Sequence, residues 1–155
     1  MRAGIMIGLV LATGALAPAP ALAQQVDWAA AKTAFEAGAG AGEKPDERVE
    51  IIGCAAFWSQ WAKAANAGRV PVEAGRTVSP LLVAPNAGML AFGWLLASIQ
   101  PEGNENPAAL EAEVEAAMIK IEPLAHEKIT AALAGDGGAL RGVMGVLGTC
   151  QMPPE

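Results

Sequence analysis

The stretch 77-TVSPLLVAPNAGMLAFGWLLASIQP-101 holds no charged residue between Arg76 and Glu102. About 20 apolar residues suffice to cross the hydrocarbon of a bilayer, so by length this run either spans a membrane or lies inside a helical bundle. Its own residues favour the bundle. Pro85-Asn86, followed by Gly88, divides the run into residues 79–84 and a helix of about 86–99, which is short for a span. The segment after it carries Lys120, Lys128 and Arg141 against nine acids, with Glu102 and Glu105 nearest. Cytoplasmic flanks are rich in Lys and Arg, so a stop-transfer helix here would have the wrong charge order. No stable membrane span is expected. A helix apolar on every side is expected instead at the centre of a bundle, where Gly88 and Gly93 admit neighbours and Trp94 fills volume.

The N-terminus, 1-MRAGIMIGLVLATGALAPAPALA-23, has the pattern of a secretory signal: Arg2, an apolar stretch from Gly4 to Leu16, and Ala21-Leu22-Ala23 as a small-x-small cleavage site. Pro18 and Pro20 would break an anchor helix early. Cleavage near Ala23 leaves 132 of the 155 residues, enough for one domain with its own core, and places the chain in the periplasm or outside the cell. A short disordered end is expected at 152–155.

Without Arg2 the chain has 9 basic and 16 acidic residues, a net charge of −7. Such a chain neutralises phosphates poorly, which argues against nucleic acid and against an anionic lipid surface as partner. Alanine and glycine are abundant and tyrosine is absent. This composition suits closely packed helices and not a sandwich of β-branched and aromatic strands. In an oxidising compartment the two cysteines, Cys54 and Cys150, have one possible pairing, and a disulfide between them is expected.

Apolar spacing places the helices. Asp27 is a good N-cap for a helix to about residue 37, with Trp28, Ala31 and Phe35 on its buried stripe and a flexible glycine linker from Gly38 to Gly42. A second helix starts at Pro45-Asp46 and ends at Gly68. Ile51, Cys54, Ala55, Trp58, Trp61, Ala62 and Ala65 form one face of it, opposite Arg48, Glu50, Gln60 and Lys63. Residues 69–78 read as an extended or irregular connection. Asn106-Pro107 opens a long helix whose stripe runs from Leu110 to Leu133, with a kink or short break expected at Pro123. The last helix, about 139–150, buries Leu140, Val143, Met144, Leu147 and Cys150. Gly142, Gly145 and Gly148 lower its propensity by about 1 kcal/mol each, which a closely approaching neighbour would offset. The expected fold is an all-α, single-domain bundle of about five helices around the apolar helix 86–99, stapled by one disulfide.

The inventory for chemistry is thin. His126 is the only histidine, so H-E-x-x-H and His-rich metal sites are excluded. There is no G-x-S-x-G, C-x-x-C or C-x-x-C-H, and the 38–42 glycines lack the Lys-Ser/Thr of a P-loop. His126 lies four residues from Glu122 and Thr130, an arrangement read first as a solvated ion pair, with a proton-transfer pair or structural burial as the alternatives. Glu111, Glu115 and Glu122 read as a solvent face, because the Glu-x-x-His partners of a di-metal bundle are missing. No catalytic residue, metal or cofactor is expected. Trp58, Trp61, Trp94 and Trp28 are ordinarily core, although they would also suit an apolar ligand pocket. No residue string marks a known family. The expected function is that of an exported, non-enzymatic bundle that binds an envelope protein. The alternative is a carrier of a small apolar ligand in a Trp-lined pocket.

Overall fold

A computed structural model describes residues 25–42 and 44–154. The expected signal segment 1–23 lies outside the described residues. The described residues form six α-helices: α1 (Trp28–Gly40), α2 (Arg48–Asn66), α3 (Val72–Val78), α4 (Asn86–Ser98), α5 (Pro107–Leu133) and α6 (Gly137–Thr149), with a short 3-10 turn at Pro80–Leu82. The all-α bundle is as expected, and it is closed by the disulfide Cys54–Cys150, whose Cα atoms are 5.6 Å apart. No described helix is long and apolar enough to cross a membrane.

The middle of the bundle is α2, which packs against α4, α5 and α6. Its start is fixed by a reciprocal capping box between Glu47 and Glu50, which satisfies free N–H groups of the first turn. Its end is a Schellman motif: Gly68, at φ +73°, donates to Ala65 O and Arg69 donates to Ala64 O. The expected face is buried except for the half-buried Ala65, and Ile52, Ala56 and Ala64 are buried beside it; Gln60, expected on the opposite side, is buried too because α2 is covered on several sides. Being covered on several sides, α2 occupies the place expected for the helix at 86–99.

That helix, α4, forms as expected but lies on the flank. It buries Ala87, Trp94 and Ser98. Outward it presents Met89 and Phe92, 65% and 62% exposed, with Leu95 and Leu96 partly exposed beside them. A helix whose only polar residues, Asn86 and Ser98, stand at its two ends carries little signal for which side faces in, so hydropathy alone could not place it. Its Gly93 lies against the chain end, where a Cβ would come within 3.1 Å of Pro153 Cγ. Gly88 has open space around it.

Two other elements differ from the sequence reading, and a third narrows it. Residues 72–78 form α3, not an irregular connection; its Gly75 is buried against the side chains of Val70 and Val83, which would have to give way to a Cβ there. Helix α1 continues through Gly38 to Gly40 instead of giving way to a linker. Helix α5 runs as one helix across Pro123, so of the expected kink or break the break is absent. Proline removes the bond to the carbonyl four residues back, that of Ile119. Ile119 and Pro123 both lie on the exposed side, where water can serve that carbonyl.

Close backbone contact joins α1 to α6. A Cβ on Gly38 would overlap the carbonyl of Gly145, and one on Gly148 would overlap that of Phe35. The neighbour expected beside the α6 glycines is therefore α1, at Gly148 and, through Gly38, at Gly145. Gly142 has no atom of another residue near its missing Cβ. The α6 core stripe is buried as expected.

Asp136 caps α6 by accepting from the N–H groups of Gly138 and Ala139 at 2.8 and 2.9 Å. Those two bonds, that to Ala139 first, hold its carboxyl below the ordinary aspartate value. A carboxyl depressed in the folded state stabilises the fold above its unfolded pKa, and that contribution is lost as pH falls through the folded value. Asp136→Asn is accordingly expected to flatten part of the acid limb of the stability–pH curve. Thermal unfolding of both proteins between pH 2 and pH 6 checks this, and superimposable acid limbs would exclude it.

Candidate functional site

Tryptophans dominate the core. Trp58, Trp61 and Trp94 are completely buried, and Trp28 packs half-buried against the same cluster. A buried indole N–H needs an acceptor. Trp58 and Trp94 both donate to the main-chain carbonyl of Cys150, at 2.6 and 2.9 Å, and Trp61 donates to that of Leu82 at 2.8 Å. The disulfide, the end of α6 and two tryptophans from α2 and α4 thus meet at one peptide group. None of the five surface grooves described on the molecule has a tryptophan in its wall.

The shared acceptor makes a specific prediction. Trp58→Phe and Trp94→Phe each leave Cys150 O with one donor and are expected to cost about 1 kcal/mol apiece. The double variant leaves a buried carbonyl without either indole, so it is expected to exceed the sum of the singles by about 1 kcal/mol or more. Urea unfolding of the four proteins measures the coupling; simple additivity would show that the carbonyl is not the link.

His126 is exposed and borders a small groove with Gln60, Lys63 and Arg69. The expected Glu122–His126 pair is not formed. Glu122 instead meets Lys63 Nζ at 3.4 Å and accepts from the Ser59 hydroxyl at 3.2 Å, because α5 lies against α2 along this edge. Among the described residues no group of three or more His, Cys, Asp or Glu is placed to hold a metal. Arg48 makes a two-pronged ion pair with Glu105, both contacts at 2.9 Å, which ties the start of α2 to the turn before α5. That guanidinium holds the Glu105 carboxyl below the usual range.

The surface feature of most consequence involves α4 and α5. Both pack on α2 and scarcely on each other, so a furrow of about 410 Å³ runs between them. Leu95 and Ile99 form one wall, and Val114, Met118 and Ile119 the other. Ile119 is 67% exposed. Beneath lies a small secondary core of Ile52, Leu110 and Val114. On the α4 ridge Met89, Phe92 and Leu96 continue the apolar surface outward at steps of three and four residues, one side of a helix. Contiguous exposed apolar surface of this kind marks an interaction site more often than a lone exposed leucine does. Glu111, Glu115 and Glu122, expected as a plain solvent face, stand along the furrow's edge.

Scanned against family models, curated proteins and solved structures, the chain matches none.

Proposed function

We propose that the chain is an exported, non-enzymatic helical bundle that binds an envelope protein through the outward side of α4. The observation that carries this reading is the exposed stripe Met89, Phe92 and Leu96, continued by Leu95 towards Ile119. A folded chain gains nothing from leaving such side chains in water, and a partner that covers them recovers their transfer free energy. The signal-like N-terminus and the Cys54–Cys150 bridge fit an oxidising compartment. The acidic balance disfavours an anionic membrane surface as the occupant of the stripe.

The test is photo-crosslinking in the producing cells. A photoreactive residue at Phe92 is expected to give a discrete adduct with another envelope protein, whereas one at Glu36, on α1, gives none. The reading fails if positions 89, 92 and 96 all yield no adduct, or only an adduct of twice the chain's own mass.

A further inference from the structure

Resting on that reading, we propose that the docking element of the partner is a basic amphipathic helix that lies in the furrow between α4 and α5. The shape of the site points to a helix. Two helices that share a third as their bed but do not close on each other leave a gap fitted to another helix, whose side-chain ridges seat in the groove between them. The α5 wall from Glu111 to Glu122 covers roughly 17 Å, or three turns, so an occupant of about 12 residues would fill it. Its apolar side would meet Leu95, Ile99, Met118 and Ile119 and complete a layer over α2.

The charge of the site points to lysine and arginine on the occupant's flanks. The only charged residues in the furrow's walls are Glu111, Glu115 and Glu122. Glu122 is paired with Lys63, whereas Glu111 and Glu115 take part in no ion pair among the described residues. An apolar floor edged by unpaired carboxylates attracts a helix with cationic edges and repels one with acidic edges. The same feature argues against a second copy of this chain as occupant: two such furrows face to face would bring four unpaired carboxylates together.

The experiment uses two synthetic 15-residue helical peptides with the same leucine face, one flanked by lysines and the other by glutamates. Each is titrated into the disulfide-bonded chain and followed by fluorescence anisotropy. The lysine peptide is expected to bind at least tenfold more tightly at low salt, and the preference is expected to shrink as salt rises. Glu111→Lys with Glu115→Lys should weaken its binding at least tenfold. The pair Glu36→Lys and Glu73→Lys, which changes net charge equally but sits on α1 and α3, should change it less than threefold. Equal affinity for the two peptides, or equal loss in both pairs of variants, would overturn the proposal. Crosslinks from Phe92 to an acidic or extended segment would overturn it too while leaving the functional reading intact; no crosslink at all removes that reading itself.

Discussion

Cys54→Ala with Cys150→Ala is expected to lower the stability of the chain by about 4 kcal/mol, a large part of what a domain of this size has to lose. The bridge spans a sequence separation of 96 and so restricts the unfolded chain over most of its described length. In the folded state it holds the middle helix to the end of α6, and both half-cystines are 3% exposed within the main core. Removing the sulfur link also loosens the peptide group whose carbonyl accepts from Trp58 and Trp94. At roughly 3–6 °C per kcal/mol for a domain of this size, the midpoint should fall by about 12–24 °C. Calorimetry of the double variant checks this, and a fall of less than about 4 °C would mean that the bridge joins parts already held together.

Alanine at Gly38 or Gly148 is the second large effect, and its sign distinguishes it from other glycine changes in the same helices. At both sites the added methyl would enter a main-chain carbonyl of the facing helix, and a backbone cannot turn aside as a side chain can. Each substitution is expected to cost about 3 kcal/mol by forcing α1 away from α6. Gly142→Ala is the control. It adds the same methyl to α6 in open space and should stabilise the protein by up to about 1 kcal/mol through helix propensity. Denaturant unfolding of the three variants gives the comparison. If all three variants gain stability, helix propensity rather than close approach governs this contact.

The parts of the fold that sequence could supply are those encoded by spacing. The stripes of α2, α5 and α6 are periodic over three or more turns, and the structure buries most of each, with Ala65, Met118, Ile121 and Leu133 half-buried. The disulfide followed from two cysteines and a compartment argument. Helix α3 escaped because seven residues hold too short a pattern to tell from a turn, and Gly75 looks like a breaker until Val70 and Val83 are seen to need its space. The Gly38 end of α1 read as a linker for the same reason: the value of Gly38 lies in Gly145 of α6, more than 100 residues away. The position of α4 could not be read, since a helix apolar between its end residues Asn86 and Ser98 gives no inward direction. The furrow was half legible. Glu111, Glu115 and Glu122 were visible as one side of a helix, but their position beside Leu95 and Ile99 depends on how α4 and α5 each sit on α2.

The outward stripe of α4 is proposed to serve a partner and not the fold. That is tested most directly by the thermal midpoint of Met89→Ser with Phe92→Ser. Exposed sites away from any packed feature change stability by no more than about 0.5 kcal/mol each, so the midpoint should stay within roughly 5 °C of the parent. A buried phenylalanine truncated to a small residue would cost 3–5 kcal/mol by itself, or about 10–30 °C. A shift within the narrow range leaves the stripe free for a partner, and a loss of the second size would place α4 inside the core and contradict the account.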